Sequence, residues 1–240
     1  LFLATENPVI TFKEISIPVN NVKIYVDFLS LFKTNPIIKK ININFKELDI
    51  AQLNKLSNII KPSNLKSIVN NNIKEGKLIS QIEIFLDKEG LLENFVAKGN
   101  VYDLNFILLK DFNLSKTSFS FFADKNDILI KKIFGNLQDI IINDGDMKLN
   151  LENGIKIDSN FNSRIDLNEK NLKKYQNFFK TKNFTENIKS LKADFKNSFS
   201  FKLDKTYKIE NFVYKISGKL EKSNLQIKPP FKNIFLKNEI

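Results

Sequence analysis

The alternation between Ile155 and Leu167 constrains this chain more than any other stretch. Ile155, Ile157, Ser159, Phe161, Ser163, Ile165 and Leu167 are apolar or small, and the residues between them, Lys156, Asp158, Asn160, Asn162, Arg164 and Asp166, are polar. A period of two is the signature of a strand with one dry face and one wet face. Met147, Leu149 and Leu151 alternate in the same way with Lys148, Asn150 and Glu152. The Asn-Gly pair between the two runs suggests a two-residue hairpin turn. That turn would set Glu152 opposite Ile155, and residues directly opposite share a face. A three-residue loop, Glu152–Gly154, instead pairs Leu151 with Ile155 and Leu149 with Ile157. It places Gly154 where positive φ is required, which glycine tolerates. The expected product is a long antiparallel hairpin with a continuous apolar face, and the functional question is what covers that face.

The rest of the chain repeats the pattern. Val9–Ile17 and Val22–Leu29 read as strands separated by a turn at Pro18-Val19-Asn20-Asn21. In Ile37–Lys46, Ile41, Ile43 and Phe45 point inward and Asn42, Asn44 and Lys46 outward. A helical pair follows near residues 49–75, a cap spanning 48–76. Asp49 and Gln52 form a capping box, Leu48 and Leu53 a hydrophobic staple, and Ile50, Leu53, Leu56 and Ile60 an apolar stripe. Pro62 ends the first helix and Ser63 opens the second, in which Leu65, Ile68, Val69 and Ile73 share a side. Gly76 is placed as its C-terminal glycine. Each helix is dry on one side only, so the pair seats on the open end or face of a sheet.

Strands then resume at Leu78–Leu86, Leu92–Val101, Leu104–Leu109, Leu114–Ala123, Ile128–Phe134 and Leu137–Ile142, with a turn at Asn143-Asp144-Gly145 before the hairpin. Asn168 caps a short helix near 169–180, carrying Leu172, Tyr175 and Phe179 on one side. The segment from there to Lys189 reads as loop or helical turn. In Phe195–Leu203, Phe199, Phe201 and Leu203 alternate with Ser198, Ser200 and Lys202. Tyr207–Ile216 changes phase between Ile209 and Phe212, which places a bulge near Glu210-Asn211. Leu220–Lys228 and Phe231–Leu236 close the chain.

Turn signals every 8–12 residues, with no regular exchange of strand and helix, indicate a mainly β antiparallel meander. Fourteen to sixteen strands at about 4.8 Å each extend roughly 70 Å. Sheets of that size curl, close or split into two layers. Two architectures follow: a large curled meander forming an apolar groove, and a β-sandwich whose dry faces seal each other. All 240 residues read as one domain, and a chain that opens on Leu reads as a fragment of a longer one.

Charge and chemistry narrow the function. The net charge of +11 comes almost wholly from Lys, with Arg164 the only arginine. Nucleic-acid binders carry clustered arginine and stacking platforms. Here the lysines are dispersed through the wet phases, so no nucleic-acid partner is expected. The chain has no cysteine and no histidine, which removes disulfides, thiolate nucleophiles, imidazole bases and the usual zinc sites. No catalytic residue, metal site or cofactor is expected. Asp144-Gly145-Asp146 lacks the spaced oxygens and late glutamate of a calcium loop and reads as a turn. Arg164 sits on a wet phase, where a cross-strand carboxylate is its expected partner.

Residues 76–167 carry a further texture: Gly76-Lys77-Leu78, the acidic turn Asp87-Lys88-Glu89-Gly90, Ala97-Lys98-Gly99-Asn100-Val101-Tyr102-Asp103-Leu104, Asp127-Ile128-Leu129-Ile130, and Asn143-Asp144-Gly145-Asp146-Met147-Lys148-Leu149. This resembles the AsmA-like family of Gram-negative bacteria, which includes TamB and YhdP. The resemblance implies a periplasmic β-groove, attached to the inner membrane by a segment outside this chain. It implies passage of phospholipid acyl chains along the groove towards the outer membrane, with other envelope proteins as further partners. The family has no catalytic residues to carry over.

The candidate lipid-facing residues are therefore the dry phase of the hairpin, Met147, Leu149, Leu151, Ile155, Ile157, Phe161, Ile165 and Leu167. Ile41, Ile43, Phe45, Phe119, Phe121, Phe199, Phe201 and Leu203 belong to the same set. As groove lining they would meet an acyl chain; as the core of a sandwich they would be sealed by the protein itself.

Overall fold

Alternating residues become strands along almost the whole described chain. The structure is a computed structural model and describes residues 1–12, 15–32, 36–50, 72–109, 112–152, 154–172, 188–204 and 208–225. Thirteen strands form one antiparallel sheet: β1 (Phe2–Glu6), β2 (Val9–Phe12), β3 (Ile15–Val26), β4 (Ile38–Phe45), β5 (Leu48–Asp49), β6 (Ile73–Leu86), β7 (Leu92–Leu109), β8 (Phe112–Ala123), β9 (Asp127–Leu137), β10 (Ile140–Asn150), β11 (Ile155–Asn168), β12 (Ile188–Leu203) and β13 (Ile209–Leu225). β1 and β2 share the flank of β3, and β4 and β5 share the flank of β6. Eleven strands therefore stand abreast, in chain order, and the sheet extends about 50 Å across them at the usual strand spacing.

The sheet is open. Its path runs from β1 to β13 without closing, and the described strands form no second layer. A β-sandwich, the competing expectation, requires two sheets face to face. The fold is a large curled antiparallel meander.

Bulges supply a physical cause for the curl. Asp103, Lys116, Lys132 and Asp144 have φ between 49° and 61° and lie on the consecutive strands β7 to β10. At each of them the pairing with a neighbouring strand slips by one residue. An extra residue bends its strand and increases the local twist. Side chains steady two of these positions: Asn105 Oδ1 accepts the Lys116 N–H at 3.2 Å, and Asp146 Oδ1 accepts the Lys132 N–H at 3.4 Å.

These bulges explain where the sequence reading departs from the fold. Asn143-Asp144-Gly145 is not a turn; β10 runs through it with Asp144 as its extra residue. Leu92–Val101 and Leu104–Leu109 are one strand, β7, with the phase change at Asp103. The reversal between β9 and β10 lies at Gln138-Asp139, not between Phe134 and Leu137. Residues 18–21 are likewise inside β3, because the chain reverses between Phe12 and Ile15, which pair directly. Pro18 forgoes a donor there, and its carbonyl accepts the Lys46 N–H at 3.0 Å. Val26, not Leu29, ends β3, and a 3-10 turn follows at Phe28–Phe32. β1 has no alternation to announce it.

The helical cap falls mainly on residues 51–71, outside the described residues. At its borders, Ile50 and Asn72 are helical and Ile73–Gly76 already belong to β6. The expected helix end at Gly76 is thus a strand start. The short helix does begin at Glu169, with Asn168 Oδ1 accepting the Asn171 N–H at 3.0 Å; residues 173–180 lie outside the described residues, as do those beyond 225. The hairpin loop has Gly154 at φ 92° and Leu149 opposite Ile157, and Asn211, at φ 53°, marks the slip in β13.

Candidate functional site

Residues opposite one another across a ladder share a face, so the registers assign every described strand. Across β10, β11 and β12, Met147, Ser159 and Phe199 are in line, then Leu149, Ile157 and Phe201. On the other side of β10, Met147 meets Ile130 and Leu149 meets Ile128; Ile130 meets Phe121, which meets Gly99. Val101 meets Phe119 on one side and Leu78 on the other. Ile82 and Ile84 face Ile43 and Ile41, and Phe45 faces Val19. All the strand residues expected to face lipid therefore lie on one side of one sheet. Leu151 lies just past β10, its N–H bonded to the Asn126 carbonyl at 2.8 Å.

The opposite face bears the ion pairs, together with the exposed apolar side chains Ile79, Phe122, Phe134 and Ile141. It carries Lys148–Asp127 at 3.1 Å, Lys131–Asp146 at 2.7 Å and Lys40–Glu83 at 3.4 Å. Arg164 finds the cross-strand carboxylates expected of it, Glu221 at 3.1 Å and Asp194 at 3.7 Å. Ser200 donates to Asp158 Oδ1 at 2.6 Å and Lys156 sits 3.0 Å from Asp158, which together hold that carboxyl below the usual carboxylate range.

The dry face is lined but not sealed among the described residues. Of the sixteen candidates only Leu167 is buried; the other fifteen are half-buried. Aromatic side chains pack against one another within the layer. Phe161 and Phe199 meet edge to face at 6.2 Å, Phe199 and Phe201 stack at 5.9 Å, and the run continues through Phe212 to Tyr214 at 6.4 and 6.5 Å. Phe212 and Tyr214, which were not among the sixteen candidates, extend the layer onto β13.

Polar atoms on this face are spent internally. Asn197 Nδ2 donates to Ser163 Oγ at 2.9 Å, and its Oδ1 accepts the Tyr214 hydroxyl at 2.7 Å. Burial pushes the Tyr214 hydroxyl above its ordinary range, so it stays protonated at neutral pH. Ser159 Oγ donates to the Asp146 carbonyl at 2.9 Å and Thr117 Oγ1 to the Ser115 carbonyl at 3.3 Å. A guest on this face meets little but hydrocarbon.

The two long margins of the face differ. Along the margin where β6 begins and β11 ends, helical starts fold over it. Ile50 lies against Gly76, and Leu172 is buried with Leu167 beside Ile140, Ile165 and Leu191. Along the other margin β6 ends beside the start of β7, β8 beside β9, β10 beside β11 and β12 beside β13. There Leu91, Leu92 and Ile209 are exposed, as are Phe28, Leu29 and Phe32 of the 3-10 turn.

A twisted sheet is saddle-shaped, so the wet face is also concave along one diagonal. A depression of about 530 Å³ crosses β10 to β13 there, with Asp144, Asp146, Asn160, Asn162, Lys196 and Lys215 around it. It mixes both signs of charge around an open floor and converges on no single chemistry. No group of three or more metal-binding side chains occurs among the described residues.

Comparison with models of protein families, with curated proteins and with solved structures finds no match to this chain.

Proposed function

We propose that this chain is a segment of a bridge-like lipid-transfer protein, carrying phospholipid acyl chains along the apolar face of its sheet. The observation that carries the reading is a single sheet with one continuous apolar face, half-buried and without a second sheet over it among the described residues. A large apolar face without a covering layer is rare on soluble monomers and calls for an occupant. An acyl chain suits it, because hydrocarbon asks for no directional partner and each methylene removed from water is worth about 0.8 kcal/mol. The polar groups of Thr117, Ser159, Ser163, Asn197 and Tyr214 on the dry face are bonded within the sheet, which fits an apolar guest. The resemblance to AsmA-like proteins supplies the setting: the periplasm, attachment to the inner membrane through another segment, and delivery towards the outer membrane. Among the described residues no helix is long and apolar enough to cross a membrane. The work is passive, and no catalytic step is assigned.

Lipid extraction and native mass spectrometry of the purified chain test this. Co-purified phospholipid is expected, with photocrosslinking of a diazirine acyl chain reduced several-fold by Phe161→Asn. Protein free of lipid, or crosslinking unchanged by that substitution, would overturn the reading.

A further inference from the structure

The two edges of the sheet are built differently. The β1 edge is short and broken: β1 and β2 are five and four residues long, parted by Asn7 at φ 47° and by Pro8. Short strands and proline are the usual protection against edge-to-edge pairing. The β13 edge is long and holds no proline, although it carries Lys215 and Lys219 and a positive-φ residue of its own, Asn211. It runs seventeen residues, pairs only with β12 among the described residues, and exposes Phe212, Tyr214, Ile216 and Leu220.

β13 is also nearly symmetric about Ile216. Its pairing with β12 slips three times: between Asn224 and Leu225, where β12 holds the extra residue, and between Glu210 and Val213 and at Glu221, where β13 holds it. The two extra residues of β13 lie at matching distances on either side of Ile216. Two copies of β13 laid antiparallel about Ile216 would keep their extra residues level. In that register Ile216 meets Ile216, Tyr214 meets Gly218 and Phe212 meets Leu220 on the dry side. Gly218 already faces an aromatic residue, Phe195 of β12. On the wet side Lys215 meets Ser217 and Val213 meets Lys219, while Glu210 falls opposite position 222, a lysine. Moving the centre by one residue sets Lys215 against itself or against Lys219, and like charges directly opposite are unfavourable. Among the three centres at Lys215, Ile216 and Ser217, only Ile216 avoids that repulsion.

We propose that β13 is a dimerisation edge, pairing antiparallel with β13 of a second copy of this chain about a two-fold axis through Ile216. That axis is normal to the sheet, so both dry faces lie on the same side, and eleven strands abreast become twenty-two. The proposal stands on the edge alone and does not require lipid on the face.

The chain has no cysteine, so an introduced one reports register cleanly. Under mild oxidation Ile216→Cys is expected to give a disulfide-linked dimer. Ser217→Cys, whose partner in this register is Lys215, is expected to remain monomeric on a denaturing gel. Sedimentation equilibrium of the full chain provides the second measurement. Ile216→Lys sets two ammonium groups face to face only in the dimer, and Ile216 is exposed in the monomer. It should weaken association by about tenfold or more with the far-ultraviolet circular dichroism unchanged. A wild-type chain that stays monomeric at high micromolar concentration would overturn the proposal, whatever else occupies the edge. So would a dimer indifferent to Ile216→Lys, or equal crosslinking through Ser217→Cys.

Discussion

The two margins of the apolar face are made from the same alternating sequence, yet one is covered and the other is not. At the covered margin Leu48 is 2% and Val19 1% exposed, and Ile50 and Leu172 lie over the strands beside them. At the uncovered margin Leu92 is 59% and Leu91 61% exposed, beside a turn held by the Asp87 carboxylate. Strand periodicity determines which side of a sheet is greasy. It does not determine where that side is closed, because closing requires another segment to fold across it. The apolar residues of the first margin work as a core, while those of the second remain available.

Stability measurements can break this comparison, beginning with the largest effect. Leu48→Ala should destabilise the chain by about 2–5 kcal/mol in urea unfolding, the range for a buried leucine, whereas Leu92→Ala should stay within about 0.5 kcal/mol. Equal losses at both sites would mean that the margins do not differ. Gly99→Ala comes next. It lies between the margins, where a Cβ would run into the Ile79 carbonyl oxygen and press on Phe121. The cost should be about 1–3 kcal/mol from overpacking, and a neutral result would show that β6 and β7 can separate there. The smallest effect is on the wet face near the open margin. Because its partners hold the Asp158 carboxyl below its ordinary value of 3.8, its contribution is present above that pH and is lost as the pH falls through the lower folded-state value. The difference in melting temperature between wild type and Asp158→Asn should therefore shrink below pH 3.8. A difference that is constant across that range would show that Asp158 does not act through its charge.

Much of the candidate site was legible because period two survives any curvature. Ile41, Phe121, Ile157 and Phe201 come from four different strands, and one rule placed them on the same face. The register of the hairpin was legible because only one loop length kept Leu149 opposite Ile157. What could not be read were extra residues without a signature. Lys116 and Lys132 adopt positive φ, a conformation that Gly, Asn and Asp advertise and Lys does not. Asp144 sits in an Asn-Asp-Gly triplet whose local chemistry suits a turn, and only the ladder with β11 shows that the chain continues straight on. Where a phase change coincided with apolar residues on both sides, as at Glu210-Asn211, the bulge could be placed from the sequence.

The extra residues on β7 to β10 also bear on how such a molecule could grow. Each strand carries its own bend, so the profile across the sheet is written within single strands, while the distance along it depends only on how many strands there are. Adding or deleting a hairpin would widen or narrow the sheet and leave the curvature of each remaining strand as it was.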